Sequence, residues 1–172
     1  MIQLKLHGFL TGLYFALLQL CYLLLLMFNI SSTYLTFALI TIAWMAGAIA
    51  GLALRSLDFR VALPAGVLAY YGALVAVHYD PLAYTTLAAA AGCVFLSGLW
   101  AGRFFVVMLP HLKRVDSLFF HENNGFVVGI VAAFVAFTLL GRPFLLWAPL
   151  VAGVGLLAHL GWILRRPAAQ IA

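Results

Sequence analysis

Gly98 to Gly129 reads GLWAGRFFVVMLPHLKRVDSLFFHENNGFVVG, apolar towards both ends and charged in the middle. Arg103, Lys113, Arg114, Asp116 and Glu122 all fall inside it, together with His111 and His121. Glycines stand four apart on either side of the charged centre, Gly98 with Gly102 and Gly125 with Gly129. Pro110 marks an end or a kink of the first apolar run, because proline cannot donate to the helix ladder. Two apolar runs joined by a short basic connection are what a chain needs to cross hydrocarbon, meet water and turn back. Only helices and closed barrels satisfy their backbone in lipid. The runs are continuous rather than alternating, so helices are expected.

The rest of the chain follows the same logic. Its 172 residues are 67% hydrophobic and 8% charged, with a mean hydropathy of +1.17. A soluble domain carries about 25% charged residues. A crossing takes about 20 apolar residues, and six fit: about 8–28, 34–54, 61–77, 82–109, 119–140 and 144–164. The expected fold is an all-α integral membrane bundle of six transmembrane helices, forming one domain over residues 1–172. Spans one to three and four to six are expected as two three-helix repeats of inverted topology.

Polar punctuation marks the turns: Asn29-Ile30-Ser31-Ser32, His78-Tyr79-Asp80-Pro81 and Gly141-Arg142-Pro143. With the amino terminus inside, the inner segments hold Lys5, Arg55, Arg60, Arg103, Lys113, Arg114, Arg165 and Arg166, and the outer turns hold only Arg142. That bias predicts both termini on the cytoplasmic side of the cell (inner) membrane. The same basic balance (pI about 9.6) then belongs to inner loops and not to a nucleic-acid surface. Cys21 and Cys93 fall mid-span, with no CxxC, so they read as buried apolar residues and not as a metal site.

Gly47 with Gly51, Gly98 with Gly102 and Gly125 with Gly129 are expected helix-packing faces, and Ala88 with Gly92 repeats the spacing. Small residues four apart let helix backbones approach closely in lipid, where apolar burial supplies no drive.

The stretch GLYFALLQLCYLLLLMFNISSTYLTFALITIAWMAGAIAGL resembles the opening of the membrane part of spermidine-synthase-like multipass proteins. FLSGLWAGRFFVVMLP and SLFFHENNGFVVGIVAAFVAFTLLG resemble that group's fourth and fifth helices. That membrane part is in turn similar to one six-helix half of a major-facilitator transporter. The resemblance implies a transporter-like helical half. The synthase activity does not carry over, because no GxGxG loop after a strand, and so no synthase domain, is found up to Ala172. The transporter pattern Gly-x-x-x-Asp-Arg-x-Gly-Arg meets Gly51-Leu-Ala-Leu-Arg55-Ser-Leu-Asp58-Phe-Arg60 here, with Leu54 where the acidic residue belongs.

A few residues are candidates for more than spanning. Arg103 lies about two turns before Pro110. An arginine at that depth has to snorkel or pair, and Glu122 on the antiparallel neighbour is its expected partner. Asn123 and Asn124 precede Gly125 as a helix-start cap or a polar gate. Gln19 in span one calls for a partner helix. His121 and His159 at similar depth are candidates for a b-type haem, although no motif indicates a cofactor, and bound lipid is an equal occupant of the grooves. No Ser-His-Asp set, HExxH, P-loop or CxxCH is found, so neither catalytic residues nor a metal site is expected.

The expected function is that of a non-enzymatic multipass subunit. It would scaffold or anchor a larger membrane complex, with the bilayer and other membrane subunits, or a second copy, as partners. The first alternative is a half-size transporter or channel acting as a dimer. The second is a haem- or quinone-binding electron-transfer subunit.

Overall fold

The computed structural model describes residues 2–30, 34–54, 56–112 and 114–165. Within them the chain is all helix: α1 (Ile2–Asn29), α2 (Tyr34–Ala53), α3 (Phe59–Tyr79), α4 (Tyr84–Leu112), α5 (Val115–Leu140) and α6 (Arg142–Leu164). All six are long and apolar enough to cross a membrane. Ser31, Ser32, Arg55, Lys113 and Arg166, on which part of the sequence reading rests, lie outside the described residues.

Most helices run past the apolar stretch that defines them. α1 takes in Lys5 and His7, and α5 begins a turn before the expected Phe119. The polar flanks continue the ladder because a helix satisfies its own backbone in headgroups as well as in hydrocarbon. Pro110 does not end α4, which continues to Leu112. In the last turn a proline disturbs little that follows it.

The turns are fixed by side chains. Asp58 caps α3, its Oδ1 accepting from the Arg60 amide at 3.0 Å. Asp80 closes the α3–α4 turn, Oδ1 accepting from the amides of Leu82 (3.1 Å) and Ala83 (3.2 Å), while its carbonyl takes the Thr86 hydroxyl at 2.6 Å. Gly141 joins α5 to α6 at φ 63°, a left-handed conformation that favours glycine.

The helices group into two compact units. One comprises residues 1–18 and 105–172, the other residues 19–104. α1 and α4 each contribute one part to each unit.

The second unit is closed by a glycine seam between α2 and α4. A Cβ on Gly47 would overlap the Phe95 carbonyl, one on Gly51 the Leu99 carbonyl, and one on Gly102 the Ala48 carbonyl. On Gly98 it would fall 2.5 Å from the Trp44 carbonyl oxygen. Gly66 brings α3 against α4, where its Cβ would meet Ser97 Cα at 3.2 Å. The first unit has its own seam between α1 and α5. Gly12 abuts the Glu122 carbonyl, Gly125 the Phe9 carbonyl, and a Cβ on Gly129 would lie 2.8 Å from Leu13 Cα. Gly92 has open space around it, so the Ala88–Gly92 spacing forms no seam.

Candidate functional site

The first unit holds a polar group at the beginning of α1 and the end of α6. His7 is fully buried. Its Nδ1 lies 3.0 Å from Nδ1 of His159, the two rings 5.2 Å apart and tilted by 37°. At that distance one ring donates and the other accepts. The Thr11 hydroxyl, also buried, donates to the His7 carbonyl at 2.8 Å. That bond satisfies the threonine within its own helix. His159 is half-buried and stacks on Trp162, centroids 5.9 Å apart and 23° from parallel.

α5 brings two more groups to this end of the unit. A Cβ on Gly8 would lie 3.5 Å from His121 Cβ and 4.0 Å from the Glu122 amide nitrogen. His121 Nδ1 is 2.8 Å from the Ser117 carbonyl. A carbonyl only accepts, so Nδ1 carries the proton in this tautomer. Glu122 is buried, and no hydrogen bond or ion pair reaches its carboxylate among the described residues.

The sequence reading joined His121 with His159 as haem ligands. The structure instead gives His159 to His7 and ties His121 to its own helix. Both contacts are made by Nδ1, the nitrogen that a ligating histidine gives to a second partner. His7 was missed because it stands beside Lys5 before the expected span, 152 residues from its partner. Among the described residues no group of three or more His, Cys, Asp or Glu side chains is arranged to hold a metal.

Arg103 was expected to pair with Glu122. What the structure gives it is a bond inside the second unit: Nε donates to the Leu57 carbonyl in the α2–α3 turn at 2.5 Å. Among the described residues its Nη1 is buried without a hydrogen bond, as is Nε1 of Trp100 one turn earlier on α4. The ion pair found among the described residues is Arg114–Asp116, an exposed contact at the start of α5. Asp116 holds the Arg114 guanidinium above its ordinary value by hydrogen bonding. Exposed pairs of this kind contribute little stability.

Asn123 and Asn124 do not cap a helix start. α5 begins at Val115, so they lie two turns inside it, exposed, each amide donating to the carbonyl one turn back (Phe119 at 2.9 Å, Phe120 at 2.6 Å). Gln19 is half-buried in α1, and its amide makes no hydrogen bond among the described residues. In the second unit Ser97 is the hub of a buried link. Its hydroxyl donates to the Gly66 carbonyl at 2.8 Å and shares a 2.8 Å bond with the Tyr22 hydroxyl, and Tyr22 meets Tyr70 edge to face at 5.1 Å. That link had no sequence signal beyond a lone serine in an apolar run.

Comparison with protein-family models, with curated proteins and with solved structures finds no match.

Proposed function

We propose that this chain is a non-enzymatic multipass subunit of the inner membrane, six times across with both ends cytoplasmic, working as a docking element for other membrane proteins. The observation that carries the reading is the contrast between the two faces of α5. One face is sealed by Gly125 and Gly129 against α1. The other leaves Phe120, Val127, Val131, Phe134 and Leu139 exposed, with the two amides of Asn123 and Asn124 among apolar neighbours. Lipid covers apolar side chains at no cost, but it offers nothing to an amide carbonyl. A polar residue on such a face is satisfied by a neighbouring helix or by the headgroups. The lack of a catalytic set in the sequence supports the same reading.

Native mass of the gently solubilised assembly tests it. The expected result is the 18.7 kDa chain held in stable stoichiometry with a different membrane protein. A stable monomer contradicts it.

A dimeric half-size transporter is the second reading. It is favoured by the buried imidazole pair and by Glu122, polar groups that a purely structural bundle has no need to keep in its interior. A homodimer that moves solute in liposomes selects this reading over the first. An electron-transfer role, resting on His121 and His159, is the third reading. A purified sample with a Soret band would select it.

A further inference from the structure

We propose that His7 and His159 form a two-member proton relay leading from the half-buried end of α6 into the interior of the first unit. The geometry is the 3.0 Å contact between their Nδ1 atoms. Two imidazole nitrogens at that distance hold one proton between them, so the tautomer of one ring dictates that of the other. His159 is half-buried beside Trp162, whereas His7 is fully buried. The pair therefore has an outer member and an inner one.

The transfer balances without any further reactant than a proton from water. In the tautomer where His159 donates through Nδ1, a proton adds to its bare Nε2 through that nitrogen's lone pair. The N–H bond at His159 Nδ1 then breaks as one forms at His7 Nδ1. His159 is left neutral with its proton on Nε2, and His7 becomes the imidazolium. A second proton on the pair would place two donors face to face and break the tie between α1 and α6. The intact pair thus carries at most one positive charge.

Further titratable groups stand on the helices packed around the pair. On α5, Glu122 and His121 stand against α1 at Gly8, next to His7 in sequence. Glu122 makes no hydrogen bond or ion pair among the described residues. Lys5 on α1 is the remaining charged group on the same helix, two residues from His7, and His159 is the titratable group that α6 supplies.

The test is ring-nitrogen NMR on the full chain, labelled at histidine and reconstituted in bilayers, with His159→Asn as the comparison. Asparagine can keep a hydrogen bond to His7 Nδ1 but cannot hand a proton through a ring. The expected result is that exchange of the His7 ring proton with heavy water slows by about tenfold in H159N, the factor that about 1.4 kcal/mol of barrier represents. The rings of His7 and His159 are also expected to titrate in shared steps in the unmodified protein. Equal His7 exchange in both proteins overturns the relay and leaves a structural tie. Should H159N fail to fold, the unmodified protein decides alone, since independent titration of the two rings overturns the proposal as well.

Discussion

Gly12 and Glu122 meet backbone to backbone, with no room for a methyl group between Gly12 Cα and the Glu122 carbonyl. The contact brings α5 so close to α1 that Glu122 is buried in the first unit. Gly102 and Ala48 repeat the relationship in the second unit. In lipid such seams carry the association energy, because van der Waals contact and not hydrophobic burial drives helices together.

Gly12→Ala and Gly102→Ala should each destabilise the protein by about 1–3 kcal/mol, the usual cost of overpacking. The gain of about 1 kcal/mol in helix propensity on replacing glycine is outweighed, because the obstacle is a backbone carbonyl that cannot swing aside. Gly155→Ala and Gly161→Ala meet open space and should be neutral or stabilising. Unfolding in mixed micelles reads the difference, and equal effects at all four positions would refute the seams.

Ser97→Ala removes both the Tyr22 and the Gly66 bonds of a serine that is 2% exposed. The expected loss is about 1–3 kcal/mol, the range for stripping partners from buried polar groups. A variant melting with the parent protein would show that the link contributes nothing.

Glu122→Gln separates two accounts of the carboxylate. If Glu122 were held in an ion pair, the substitution would leave its partner charge stranded and cost several kcal/mol, about 3–5 for a buried pair. With no partner among the described residues, the neutral amide should instead leave the melting temperature unchanged or raise it. A marked drop would restore the Arg103 pairing that the sequence suggested.

Arg103→Gln should loosen the α2–α3 turn, since Nε supplies the bond to the Leu57 carbonyl. Faster amide hydrogen exchange around Leu57, with α5 and α6 unaffected, is the expected outcome. Unchanged exchange there would mean that Asp58 alone, as cap of α3, holds the turn. Arg103→Lys should behave like Gln, because the ammonium has no counterpart of the side-facing Nε–H.

What could be read from the sequence depended on how far apart the causes lie in the chain. The six apolar helices were legible because each is a local property of about 20 residues. Gly47, Gly51, Gly98 and Gly102 declared themselves by spacing, but which seam faced which was a matter of tertiary packing. Gly8 and Gly12 have the same spacing and went unread, because they stand where span one was thought to begin. Ala88 and Gly92 have the spacing without the seam, since small residues are common in so apolar a chain. The pairing of His7 with His159 was not legible at all. Nothing local links two histidines at opposite ends of the chain, and the pairing arises only when α6 packs beside α1. The division into compact units was not legible either, because α1 and α4 each contribute to both units.

That hydrocarbon surrounds these helices, with basic residues holding the crossings from one side, is the proposal on which the others depend. Side-specific labelling at either end of α5 tests it most directly, using Arg114→Cys and Arg142→Cys in a background with Cys21 and Cys93 replaced. Both arginines are exposed, and α5 lies between them. In intact cells an impermeant maleimide should label the Arg142→Cys protein at once and the Arg114→Cys protein only after the membrane is opened. Labelling of both from the same face, or of Arg114→Cys alone from outside, would contradict it.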